Sequence, residues 1–178
     1  MDNISQNTAI NNRHLMFEIR IDWLDDTRGI ITSNEVKDTV HVAIPPAFGG
    51  TEDQWSPEHL FLGSIASCFM TTYLVLSRKM RFDISRLECQ AIGHIERVEG
   101  VGYTFVSIDL YPKISVGDES LRSKALAALQ KTKQHCLVSN AVRARIVYHP
   151  ELIVQTNDGH QQGMEITTVI PAGLPAVQ

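Results

Sequence analysis

The chain has 178 residues, 43% of them hydrophobic and 20% charged. That is the balance of a single soluble globular domain, not of a disordered, collagen-like or disulfide-dense chain. Lys and Arg number 16 against 20 Asp and Glu, a formal net charge of -4; with no basic run to offset it, nucleic acid is not an expected partner, because phosphate binding needs clustered positive charge.

Residues 1–14 are polar and Asn-rich and read as a flexible arm without the basic start and apolar core of a secretory signal. Phe17, Ile19, Ile21 and Trp23 alternate as a strand, a turn follows over residues 25–29, and a short second strand runs from Gly29 to Ser33. Val40, Val42 and Ile44 mark a third strand ending at Pro45-Pro46, before a Phe48-Gly49-Gly50 loop. Ser56-Pro57-Glu58 is a helix start, with Ser at the N-cap, Pro at the first helical position and an acid in the first turn. The helix runs to about Met80 and is apolar nearly all round, so it is expected to be a buried central helix rather than a membrane span, since polar residues interrupt it. Gly63, Ser67 and Thr71 form a small-residue row along it, beside a second row of Ser64, Cys68 and Thr72.

Leu87 to Val98 and Tyr103 to Ile114 form a hairpin across a Glu99–Gly102 turn, with Val106, Ile108 and Leu110 on one face. Asp118 caps a second helix reaching His135, with Leu121, Ala125, Leu126 and Leu129 as its apolar stripe. Cys136 sits at its end, a short helix starts near Ser139, and Ala144, Ile146 and Tyr148 alternate as a strand. The tail, 151–178, reads as an appended hairpin turning at Asp158-Gly159. Strands and helices in blocks argue α+β, with the main domain over 15–150.

The three cysteines are Cys68, Cys89 and Cys136; an odd, low number with no secretion signal points to a reducing cytoplasm. There is no CxxC, HExxH or paired Cys/His knuckle among the seven scattered histidines, so neither a metal nor a cofactor is expected. His59 lies nine residues before Cys68 on the same helix, about 13 Å away by rise, too far to act as its base. What remains is a constellation of Cys68, Cys136, Glu58 and an arginine. Burial alone makes Cys68 inert, so a working thiol needs a nearby cation, and arginine keeps its charge when buried. Each member also has a plain alternative: a small core residue for Cys68, a helix-dipole acid for Glu58, a structural thiol for Cys136. Cys89 reads as core.

The run Trp55-Ser56-Pro57-Glu58-His59-Leu60-Phe61-Leu62-Gly63-Ser64-Ile65-Ala66-Ser67-Cys68 resembles the signature of the OsmC/Ohr family, and His135-Cys136-Leu137-Val138-Ser139-Asn140-Ala141 resembles its second cysteine motif. The resemblance covers residues 15–150. It implies a thiol-dependent hydroperoxide reductase with antiparallel sheets around the central helix, in an intertwined homodimer with its sites at the subunit interface. Carried over, Cys68 is the peroxidatic thiolate, Cys136 the resolving thiol, and Glu58 orients the arginine that activates Cys68. Arg28 is the nearest match for that arginine and Arg20 the next. The family further implies organic or lipid hydroperoxides as substrates and a dithiol, such as a dihydrolipoyl protein, as reductant. Leu60, Phe61, Leu62 and Phe69 then offer an apolar flank for an alkyl group.

Helix geometry bears on the same point. Ten residues put Glu58 about 15 Å from Cys68 along the axis and about 80° away in rotation, beyond the reach of a glutamate. If Glu58 serves a Cys68 site, as the resemblance implies, it is expected to serve the partner subunit's, which makes the dimer obligate. Two other functions remain on this reading: a non-enzymatic binder of small apolar molecules with idle cysteines, and a disulfide-exchange or redox-sensing protein acting on other proteins.

Overall fold

The computed structural model describes residues 14–155. The chain divides into two compact units, the first ending at Pro57 and the second starting at Glu58. Almost all of the expected N-terminal arm, and the expected C-terminal hairpin from before its Asp158-Gly159 turn onward, lie outside the described residues.

The first unit is a three-stranded antiparallel meander of β1 (Arg20–Asp25), β2 (Arg28–Ser33) and β3 (Val36–Ala43). The β1–β2 turn places Asp26 at φ 40°, a left-handed conformation that Asp tolerates better than most side chains. The Trp23 indole N–H donates to Asp26 O at 3.2 Å and closes the turn. After β3 the chain folds tightly on itself: Gly50 N–H donates to Pro45 O, and Thr51 N–H to Ile44 O, both at 3.0 Å. A Cβ at Gly50 would fall on the Ile44 carbonyl oxygen, so only glycine fits there. Ile21 and Trp23 on β1 are exposed, as are Leu15, Phe17 and Ile19 before and at its start.

The second unit begins with α1 (Pro57–Lys79), which starts at the proline the sequence marks. The strands β4 (Arg86–Val98) and β5 (Gly102–Val116) pair antiparallel in the expected hairpin, with Gly100 and Gly102 at positive φ in the turn. The register shifts between His94 and Ile95, which leaves Val106 as the unpaired residue of a bulge. Beyond it, Ile108, Leu110, Pro112, Ile114 and Val116 fall on one face and are buried. Val106, expected on that face, is displaced from the alternation by the bulge.

Asp118 caps as expected, its Oδ1 accepting from Ser120 N–H at 2.6 Å, but the first turn is a 3-10 turn over Glu119–Leu121. It leads into α2 (Arg122–His135), which buries Ala125, Ala128, Leu129 and Thr132. Cys136 is extended, at φ -68° and ψ 105°, and separates α2 from the short α3 (Leu137–Ala141). β6 (Arg145–Tyr148) and β7 (Glu151–Val154) then both pair with β5 in parallel. They form one edge interrupted at His149-Pro150, where the His149 N–H still donates to Leu110 O at 2.7 Å.

Two expectations are corrected here. The second sheet is mixed rather than antiparallel, because α2 and α3 form a crossover that returns the chain to β5 in the same direction. The helix α1 is not buried all round: only Ile65, Phe69, Tyr73 and Ser77 are buried, one stripe at four-residue spacing. Gly63, Ser64, Ser67, Met70, Thr71 and Val75 are exposed. By length and hydropathy alone α1 would also suffice to cross a bilayer.

Candidate functional site

Cys68 lies between exposed Ser67 and Phe69 of the buried α1 stripe, so it sits at the margin of the core and is half-buried. Phe69 itself is fully buried against the rings of Tyr73 and Tyr148, at 6.5 and 6.0 Å between centroids. It therefore offers no surface to a substrate, which removes it from the expected apolar flank. The remaining flank residues, Leu60, Phe61 and Leu62, are half-buried.

Cys136 is fully buried in the cluster that also holds Phe69, Tyr73 and Leu129, and Cys68 packs against that cluster. Two interactions define the pair. The Val138 N–H donates to Cys68 Sγ at 3.4 Å, and the Ser139 hydroxyl donates to Cys136 Sγ at 3.0 Å. Burial pushes the Cys136 thiol up, the hydrogen bonds from Ser139 oppose that rise, and contact with Cys68 adds to it. All three cysteines are free thiols.

Cys89 lies closer to this chemistry than its reading as core implies. On β4 it pairs with Pro112, which places it on the core face of the sheet, packed against the same cluster. Burial pushes its thiol up to about 11, and the negative potential of Cys136 contributes. Tyr148 lies among all three: its phenol is raised by burial and by Cys136, Cys89 and Cys68, while the Ser139 side chain opposes the rise. Lys133 Nζ stands 4.9 Å from the centre of the Tyr148 ring, a cation–π contact. Ser139 and Tyr148 escape the sequence reading. Their only signals are the three-residue step from Cys136 to Ser139 on a short helix and the alternation that turns Tyr148 inward.

The other two candidates are described each in its own unit. Glu58 lies in the first turn of α1, ten residues from Cys68, and its Oε2 is buried without a hydrogen-bond partner among the described residues. Arg28 belongs to the first unit and makes a two-point ion pair with Asp25, at 2.7 and 2.8 Å, which raises its pKa further. It also lines an apolar groove of about 470 Å³ with Ile21, Trp23, Val42 and Ile44. Arg20, the second candidate, is exposed and paired with Asp22. Among the described residues no group of three or more His, Cys, Asp or Glu is arranged to hold a metal.

Fold and thiols together define an α+β protein with two reduced cysteines brought side by side, an arrangement suited to thiol–disulfide chemistry. Residues 50–150 match the family of OsmC-like proteins, and the chain belongs to that family. The family is associated with hydroperoxide resistance. The uncharacterized protein YmaD of Bacillus subtilis (strain 168) is 21% identical over 142 residues, covering 78% of this chain and 94% of that protein. Among solved structures, an OsmC-like protein of unknown function from Vibrio cholerae superposes with a TM-score of 0.69 at 14% identity, over 77% of this chain and 99% of that one. An organic hydroperoxide resistance protein from Elizabethkingia anophelis gives 0.61 at 21% identity, over 83% and 100%.

Proposed function

We propose that the protein is a thiol-dependent peroxidase that reduces organic hydroperoxides through Cys68 and Cys136. The observation that carries this reading is the convergence of the two thiols, with a backbone N–H aimed at Cys68 Sγ and a hydroxyl aimed at Cys136 Sγ. The Cys68 thiolate attacks the terminal peroxide oxygen; the O–O bond breaks, the alkoxide takes a proton and leaves as the alcohol, and Cys68 becomes a sulfenic acid. The Cys136 thiol then attacks the Cys68 sulfur; the S–S bond forms, the S–O bond breaks, and the hydroxide leaves as water with the thiol proton. An external dithiol, for which a dihydrolipoyl group is the candidate, restores both thiols by two exchanges.

In this reading Arg28 is the activating cation and Glu58 the carboxylate that holds it, both supplied within a homodimer in a cytoplasmic compartment. Support for the dimer comes from the exposed small-residue face of α1 and from the buried Glu58 Oε2, which has no donor among the described residues. The apolar groove in the first unit favours the second reading, a binder of small apolar molecules. Peroxide consumption with a dithiol reductant separates them: wild type is expected to turn over cumene hydroperoxide faster than hydrogen peroxide, and Cys68→Ser to abolish turnover. A reduced, folded wild type that consumes neither peroxide rejects the enzyme and leaves the binder.

A further inference from the structure

Cys136 is fully buried, and burial disfavours its thiolate. Yet resolution of a sulfenic acid needs that thiolate, or a thiol giving up its proton as it attacks. Something beside the sulfur has to accept this change of charge. The groups facing Cys136 are Cys68 from α1, Cys89 from β4, Tyr148 from β6, and Ser139 from α3, with Lys133 of α2 over the Tyr148 ring. Two of them are thiols whose negative charge works against a second anion. Ser139 is the one that donates a hydrogen to the sulfur, at 3.0 Å, and it is itself buried.

A serine hydroxyl has one hydrogen to give. Ser139 gives it to Cys136 Sγ, at 3.0 Å. With a neutral Cys136 the bond can reverse, the S–H donating to the Ser139 oxygen. The hydroxyl can thus follow the ionisation of a buried thiol without a solvent path.

We propose that Ser139 is a positioning residue for the second half of the reaction: it holds the Cys136 sulfur and stabilises the charge that develops on it as it attacks the oxidised Cys68. The peroxide-consuming half does not depend on it. This rests on the peroxidase reading, so its test has one arm that requires no peroxide chemistry. In the full chain carrying Cys68→Ser and Cys89→Ser, Cys136 is the sole thiol, and the carbon NMR shift of its Cβ reports ionisation whether or not reagents reach the sulfur.

Ser139→Ala is expected to raise the midpoint of that titration so that, at a given pH below it, the thiolate population falls about tenfold, the scale of one hydrogen bond to a charged group. Ser139→Thr restores it. Ser139→Val, which has the shape of the threonine variant without its hydroxyl, shifts it as Ser139→Ala does and serves as the second variant should Ser139→Ala melt. A midpoint unmoved in the folded variants overturns the proposal. In the second arm, with all three cysteines present and one equivalent of cumene hydroperoxide, Ser139→Ala is expected to form sulfenic acid at the wild-type rate and the disulfide about tenfold more slowly near neutral pH. Equal disulfide rates overturn the catalytic role. A shifted midpoint in a protein whose wild type consumes no peroxide would instead reject the peroxidase while leaving the Ser139 contact as the cause of the shift.

Discussion

The Val138 N–H donates to Cys68 Sγ at 3.4 Å, so a backbone donor two residues beyond Cys136 holds the thiol of α1. A donor fixed to the main chain stabilises negative charge on sulfur without any side-chain reorganisation. It also survives removal of Cys136. In Cys136→Ser, Cys68 is therefore expected to react once per peroxide and stop as a sulfenic acid, visible by mass spectrometry as a dimedone adduct. Turnover with a dithiol that reduces only disulfides should fall at least about tenfold, that is by more than about 1.4 kcal/mol of barrier. Full turnover in Cys136→Ser would remove Cys136 from the cycle.

The turn that supplies this donor has an unused opportunity for stabilisation. Cys136 is extended, which suits the residue before a proline, and Leu137 is both 74% exposed and the first residue of α3. A first helical residue has no intrahelical use for its N–H, and proline is preset for that position. Leu137→Pro is expected to raise stability by about 0.4 to 1 kcal/mol by restricting the unfolded chain. Urea melts decide it; a loss of stability would mean that the Leu137 N–H or side chain is used elsewhere.

Much of this arrangement was legible before any coordinates. The caps at Pro57 and Asp118, the glycines after β4 and the long alternations of β4 and β5 place elements by local rules, and the observed bounds follow them closely. Three features were not legible, each for a physical reason. An apolar helix such as α1 is written the same way whether its second face meets its own chain or another surface. Strand direction is absent from an alternating pattern, so β6 and β7 do not announce themselves as parallel to β5. A bulge such as that at Val106 resets the alternation from within. For the site, the two cysteine motifs led to Cys68 and Cys136, whereas Ser139, Tyr148 and Cys89 became neighbours of Cys136 only through tertiary packing.

The exposed face of α1 gives the proposed homodimer a direct test. Among the described residues a Cβ at Gly63 meets nothing within 4 Å outside its own helix backbone and chain neighbours, so a side chain there starts into open space. Gly63 also lies in a helix interior, where glycine is unfavourable by roughly 1 kcal/mol. Gly63→Leu should therefore leave a single chain as stable as before, or more so. If two copies meet along this face, the added bulk is expected to weaken their association at least about tenfold, by overpacking of order 1 to 3 kcal/mol. Sedimentation over a concentration series measures this, and an unchanged dimer would place the interface elsewhere.

Away from the thiols, Asp109 on β5 accepts from two histidines, His94 Nε2 and His149 Nε2, each at 2.7 Å, and His149 stacks on Tyr111. The hydrogen bond from His149, then that from His94, holds the Asp109 carboxyl below its usual range. A carboxylate favoured in the folded state contributes stability above its unfolded pKa of about 3.9, and that contribution is lost as pH falls through the lower folded value. Replacing both histidines by alanine should return Asp109 toward the ordinary range. Wild type is then expected to melt above the double variant at about pH 5, with the gap closing as pH falls below the lowered folded-state value, where the carboxyl is protonated in both states. Carboxyl NMR of Asp109 follows the same change residue by residue. A gap that persists undiminished into strong acid would mean that the histidines stabilise the sheet by packing, through the Tyr111 stack, rather than through the Asp109 charge.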